Sequence, residues 1–334
     1  MIDTAFAPAA EAVAAGRIPG ATLGVVAADG RRWVTHAGMA ALVPEPEALT
    51  LDHWFDLASV SKVVATTTMV LRLAEEGRID LDAPLTTAIP DLRQYDVAGA
   101  YERPLTFRDC LAHRTLFPAV EPIYTYGDDP QRLRAFVLQR EWKHTPEPVY
   151  SDINFLLLGI AIERVTGKAL GEWPLGPGLH YGPPPGPAVA TERCMWRNRV
   201  LKGEVHDENC AAMGGQTGHA GLFGTVAGVL DFAQGVLTGS FSPMMLEAIR
   251  TPQYSHRTCG WERKFAGWSG GQACSDETIG HTGFTGTGLW IDFGRGIAWT
   301  LLTNRVHPTR HFDSGIFVLR PATGDAVINA WEAP

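Results

Sequence analysis

The chain has 334 residues, 45% of them hydrophobic and 19% charged, which suits one large domain or two closely joined ones with a core of useful size. A formal charge of −8 with no Lys/Arg cluster argues against a nucleic-acid partner. No apolar stretch is long enough to span a bilayer, and the five scattered cysteines, odd in number, fit reduced and mostly buried thiols.

Thr4–Ala15 has the pattern of a helix, capped by Asp3 and ended at Gly16 and Pro19-Gly20. The opening Met1-Ile2-Asp3-Thr4 has no basic segment and no apolar leader core. A cytoplasmic protein is therefore expected, or a periplasmic or extracellular one if a leader was removed. Ala21–Ala27 and Arg31–Ala37 are expected strands joined at Asp29-Gly30. Ser59-Val60-Ser61-Lys62 then opens an apolar helix that stops at Gly77. Thr106 with Asp109 forms a capping box. Asp129–Arg140 is amphipathic, and Asn154–Val165 is apolar on nearly every face and ends at Gly167. Trp173–Pro187 is an irregular excursion. Thr225–Leu237 and Pro243–Arg250 are expected helices, and Gly288–Phe293 and Gly296–Thr303 form a second hairpin. A helical C-terminus interrupted by Pro321 follows.

Strands at both ends and helices between them are most simply buried as one antiparallel sheet covered by the terminal helices. The fold class is thus mixed α/β. Residues 1–62 and 255–334 are assigned to the sheet region and 63–254 to a mostly helical lobe, with Ser59 at the seam.

Lys62 is the only one of the five lysines with a serine three residues earlier. Residues three apart share a helical face, so the amine reaches the hydroxyl. Burial on an apolar helix disfavours the ammonium, which predicts a lowered pKa and a neutral base beside a nucleophile. The helix N-terminus adds backbone N–H groups for an oxyanion. The competing reading makes Ser59 a cap and Lys62 a solvated first-turn residue. Tyr150 sits on a turn before the buried helix, with Asp152 as the expected cap. It is either a packing residue or, with its pKa lowered by a nearby lysine, a proton carrier. Gly280–Gly288 is either a glycine-rich edge strand or a strand that holds an extended substrate. His206–Cys210 lacks a second ligand pair at metal spacing, so no metal site is expected.

In the order Ser59-x-x-Lys62, Tyr150-Ser151-Asp152, His281-Thr282-Gly283, these segments resemble the three motifs of the serine β-lactamase and penicillin-binding-protein superfamily. The class C β-lactamase-like branch is the nearest in pattern. Gly214–Phe223 and Leu302–Pro308 resemble further segments of that branch, so the likeness covers nearly the whole chain. It implies Ser59 as acylated nucleophile, Lys62 as its activator and Tyr150 as proton carrier. It implies Asp152, His281, Thr282, Gly283 and Phe284 as substrate-orienting residues, with the N–H groups of Ser59 and Phe284 as oxyanion hole. No cofactor is implied. The expected activity is that of an esterase or amidase acting on a small molecule or short peptide. A D-Ala-D-Ala carboxypeptidase or weak β-lactamase, or a sensor that acylates without turnover, are the alternatives. His281 stands where β-lactamases commonly have lysine, and Arg305 or Arg310 could supply the missing cation. Asp152 stands where Asn is usual.

Overall fold

In the computed structural model, which describes residues 1–333, strand β1 (Gly20–Ala27) is buried at every position. Ala21, Leu23 and Val25 join one core and Val26 the other. A strand buried on both faces needs cover on both faces. It lies inside a seven-stranded antiparallel sheet. The first strands, β1, β2 (Arg32–Ala41) and β3 (Glu47–Ala48), join four late ones: β9 (Glu262–Arg263), β10 (Ile279–Thr282), β11 (Gly288–Asp292) and β12 (Ile297–Thr303). The order is β3-β2-β1-β12-β11-β10-β9, and Gly24 faces Thr300 across the junction of the two ends. The sheet expected from the two ends of the chain is therefore present. Two small sheets lie elsewhere: β4 (Phe55–Asp56), β8 (Leu222–Gly224) and β5 (Leu179–Tyr181) in one, and β6 (Ala190–Cys194) with β7 (Arg199–Lys202) in the other.

Helices α1 (Ile2–Ala14) and α9 (Ile316–Glu332) cover one face of the large sheet over Trp268, Trp290 and Trp299. The remaining helices are α2 (Thr68–Glu75), α3 (Phe107–Leu111), α4 (Pro130–Gln139), α5 (Asp152–Thr166), α6 (Glu208–Ala212), α7 (Val226–Thr238) and α8 (Pro243–Arg250). Of these, α7 packs on the other face, against β1 and β12. A side chain at Gly24 would meet Val226 Cγ2 at 2.7 Å and Leu230 Cδ1 at 2.8 Å, so the glycine lets α7 lie close. No helix among the described residues is long and apolar enough to cross a membrane.

Several local expectations change. Met1, not Asp3, is the N-cap of α1, and Asp3 lies in its first turn. Ser151, not Asp152, caps α5, because its Oγ accepts from Ile153 N at 3.3 Å. The excursion over 173–187 contributes β5. Pro321 does not end α9, whose Leu319, Val327 and Ile328 stay anchored in the core across it. The helix expected from Ser59 is three pieces: a 3-10 turn over Ala58–Val60, a π-helical turn over Lys62–Thr67, then α2.

The close approach at Gly24 leads to a prediction. Gly24→Val should overpack the α7 contact and lower stability by about 1–3 kcal/mol. Urea unfolding should show a lower midpoint at unchanged slope; an unchanged midpoint would mean that α7 gives way freely.

Candidate active site

Strand β4 pairs with β8, Phe55 opposite Gly224 and Asp56 opposite Phe223, which fixes the chain leading into Ser59. Buried Asp56 accepts from Ala58 N at 2.8 Å and His206 N at 2.6 Å. Ala58 takes φ +47°, a left-handed conformation that a non-glycine residue adopts at a cost. The sharp bend brings half-buried Ser59 to the start of the π-helical turn. Such turns are rare and recur at functional sites.

Lys62 is fully buried. Its Nζ donates to Ser59 Oγ at 2.9 Å and to His219 O at 3.0 Å, and pairs with Asp152 Oδ1 at 2.8 Å. The ammonium thus donates two hydrogen bonds and faces a carboxylate by charge, while Asp152 Oδ1 takes no hydrogen bond of good geometry. Burial, the largest single influence, lowers its pKa, but Asp152 and Tyr150 acting together outweigh burial and hold it well above the ordinary lysine value. The expected neutral amine is therefore a cation: the family likeness puts Asp152 at the site, but residue types alone do not weigh its charge against burial.

Tyr150 lies just before α5, its ring 5.1 Å from Lys62 Nζ. Its buried hydroxyl has no hydrogen-bond partner of good geometry. Burial raises its pKa more than the Lys62 cation lowers it, opposite to the sequence expectation. His113 holds this segment. Its Nδ1 accepts from Ser151 N at 3.1 Å and lies 3.2 Å from Asn154 Nδ2. A backbone N–H can only donate, so Nδ1 is bare and Nε2 carries the proton. The imidazole stacks on Tyr150 with centroids 4.4 Å apart. Burial, then the Arg257 and Lys62 cations, push its pKa well down, which keeps it neutral.

The glycine-rich segment is tied directly to the Ser59 loop. Thr285 Oγ1 donates to Asp56 O at 2.7 Å and Thr287 Oγ1 to Leu57 O at 2.9 Å. At Gly283 a Cβ would lie 2.2 Å from Thr287 Oγ1 and 2.4 Å from Leu57 O, so only glycine fits. Buried Arg320 of α9 donates to Gly283 O at 2.6 Å and Thr287 O at 2.8 Å. Neither the Ser59 N–H nor the Phe284 N–H donates within the protein among the described residues. Thr282 ends β10, and its carbonyl lies 3.0 Å from His281 Nδ1. That contact places the proton on Nδ1 and leaves Nε2 as an acceptor. Burial, then the Lys62 cation, lower the His281 pKa to about 3. An unperturbed histidine titrates near pH 6.5; here the ring is neutral well below that, and its free nitrogen offers a substrate an acceptor.

Arg310 is held by Glu192 Oε2 at 2.6 Å and Glu208 Oε1 at 2.5 Å. Arg305 donates from Nε to Phe284 O at 2.8 Å, with its guanidinium 4.5 Å over the Phe284 ring and no ion pair among the described residues. The 206–210 segment is divided: His206 faces Glu192 at 3.0 Å, Asp207 faces His219 at 2.9 Å, and Cys210 is buried. Asp152, Asp207 and His219 do present ligand atoms within 4.8 Å of one another, and the Lys62 ammonium is already bonded to two of these three residues.

By residue type and segment, His219 reads as a structural histidine and Asp207 only as a member of the 206–210 segment; Arg257 and Arg320 carry no sequence signal. Arg257 lies 5.2 Å from the Tyr150 ring centre and pairs with Glu262 at 3.0 Å. None of these sits in a local motif. Gly214–Phe223 was the one available signal for His219.

A family profile described as Beta-lactamase matches residues 6–322. The chain is 29% identical over 350 residues to the N-acetylmuramyl-L-alanine amidase of Bacillus subtilis, covering 88% of this chain and 79% of the relative. It is 29% identical over 316 residues to a putative D-alanyl-D-alanine carboxypeptidase of Escherichia coli O157:H7, covering 80% and 72%. Among solved structures it resembles unliganded simvastatin synthase of Aspergillus terreus, with a TM-score of 0.76 at 17% identity over 100% of this chain and 99% of that one.

The ion pair at Lys62 sets a pH dependence. With Lys62 charged and Tyr150 neutral, the pair already holds the proton that it would have to accept from Ser59. Activity should therefore rise with pH through the pair's apparent pKa. Asp152→Asn removes the main counter-charge, so that limb should move to lower pH by about 1–3 units. A pH profile of kcat/KM on a neutral ester measures it. A limb that stays in place or moves upward would show that Asp152 does not set the charge of Lys62.

Proposed function

Since this chain belongs to the beta-lactamase family and is a serine hydrolase, we propose that it works through an acyl-enzyme on Ser59 and cleaves neutral esters or amides. The contact of Lys62 Nζ with Ser59 Oγ at 2.9 Å carries the reading. In the proposed reaction Ser59 Oγ attacks the acyl carbon, and the carbonyl π-pair moves onto its oxygen. The N–H groups of Ser59 and Phe284 receive that oxyanion. The reacting form is the one in which the Lys62–Tyr150 unit has first lost a proton to solvent; it takes the Ser59 proton and hands it to the leaving alcohol or amine as the acyl–leaving-group bond breaks. Water repeats the sequence in reverse, releasing the acid and restoring Ser59.

The preference for neutral substrates rests on the charges around Ser59. His281 lacks the fixed charge of a lysine, Asp152 is a carboxylate, and Arg310 is held by two glutamates. A small molecule or short peptide is the substrate class. A second reading, a carboxypeptidase of the kind named for the Escherichia coli relative, is favoured by one observation: the Arg305 guanidinium at Phe284 faces no carboxylate among the described residues.

Ser59→Ala should lower kcat by roughly 10³–10⁶-fold, and a fluorophosphonate should leave a single adduct that maps to Ser59. Label on Ser61 or Ser151 would move the nucleophile. In a panel of short-chain esters, D-amino acid amides, D-Ala-D-Ala peptides and nitrocefin, neutral esters should exceed nitrocefin in kcat/KM by at least about tenfold, or 1.4 kcal/mol. A preference for nitrocefin or D-Ala-D-Ala peptides would replace the esterase reading with the carboxypeptidase or β-lactamase one. Stoichiometric labelling without turnover would point to a sensor. Because His281 remains neutral, its ring should show no NMR titration between pH 4.5 and 8, identified by loss of the signal in His281→Gln.

A further inference from the structure

A cleft of about 700 Å³ opens against the π-helical turn and shares none of its lining with Ser59, Lys62 or Tyr150. Its volume is that of a small-molecule site. Val64 and Ala65, two and three residues past Lys62, form part of its wall, and Trp173, Phe232 and Phe241 supply aromatic faces. The charges on its lining are unevenly matched. Asp231 pairs with Arg32 at 2.7 Å, and Glu76 faces Arg78 at 3.6 Å. Glu172 Oε2 accepts from Ala169 N at 2.7 Å. Arg72 and Lys168 line the same cleft and form no ion pair among the described residues. Two cations and one carboxylate, Glu172, are thus left without an ion partner, a surplus of one positive charge on the lining.

We propose that this cleft binds a small amphipathic monoanion. Its ring-sized apolar body lies against Trp173, Phe232 and Phe241, and a single carboxylate or sulfonate head takes charge-assisted hydrogen bonds from Arg72 and Lys168. The apolar faces exclude a simple inorganic ion as the preferred occupant, and the unmatched cations exclude a neutral hydrocarbon. The site is independent of the chemistry at Ser59.

The test uses 8-anilinonaphthalene-1-sulfonate, an aromatic body with one sulfonate, titrated into the full chain and read by its fluorescence. Saturation at one site is expected. Arg72→Gln with Lys168→Gln should weaken Kd at least fivefold at an unchanged thermal midpoint. Phe284→Ala, at the Ser59 site, should leave Kd within twofold. Should the double variant lose stability, Trp173→Ala replaces it with the same fivefold expectation. Absence of saturable binding, a smaller change in the cleft variants, or a larger change in Phe284→Ala would overturn the proposal.

Discussion

An ammonium withdrawn from water costs several kcal/mol unless its charge and all of its N–H bonds find partners. Fully buried Lys62 answers that demand with the charge of Asp152 and with hydrogen bonds to Ser59 Oγ and His219 O. These partners come from three separate parts of the chain, so the ion pair dictates how those parts meet. The start of α5 must reach the π-helical turn, and the loop before β8 must bring a carbonyl inward. Glycines allow that approach. A Cβ at Gly218 would lie 2.0 Å from Phe155 O, and one at Gly159 would lie 2.7 Å from Gly218 N. Backbone therefore lies on backbone between α5 and the His219 loop, and the charge of Lys62 is enclosed from both sides.

A second set of bonds joins the Ser59 loop to the large sheet. Thr285 and Thr287 hold the carbonyls of Asp56 and Leu57, while Arg320 reaches from α9 to the carbonyls of Gly283 and Thr287. Burial, then nearby Arg305, lower the Arg320 pKa to about 9. A buried guanidinium bonded to carbonyls is held by hydrogen bonds in place of a counter-ion, which makes it a sensitive tie between helix and turn. Ser59 is thus fixed from the helical side through Lys62 and from the sheet side through two threonines. Such double anchoring maintains the left-handed Ala58 at the bend.

The sequence made the motifs legible, and the structure brings them together: Ser59, Lys62 and Asp152 by direct bonds, Tyr150 by its ring over Lys62, and His281 with its ring centre 5.9 Å from that of Tyr150. The hairpins at Asp29-Gly30 and Gly294-Arg295-Gly296 were readable because turn chemistry is local. The protonation states were not readable. Whether a lysine loses or keeps its proton depends on what faces it after folding, and Asp152 lies ninety positions away in the chain. His281 illustrates the same limit: its type suggested a switch near neutral pH, but its burial and the Lys62 cation exclude one. The π-helical turn was also hidden, because its side chains are as apolar as those of an ordinary helix.

The same facts shift the origin of substrate choice away from a single side chain. From residue types, His281 in place of lysine is the natural discriminator against anions. In the folded protein the charge at Ser59 is a balance: one ammonium faces Asp152, with Asp207 nearby, Arg305 lies at Phe284, and His281 and His113 add no charge. One unit charge about 8 Å away is worth roughly 2 kcal/mol at an effective dielectric constant near 20. That is enough to separate neutral from anionic substrates by more than tenfold. Asp152 thus has two opposed effects: it keeps Lys62 charged, which stabilises the resting site, and it raises the barrier to handing that proton on. A neutral amide at this position would lack both effects, so on the proposed mechanism this one residue couples substrate charge preference to the pH of activity.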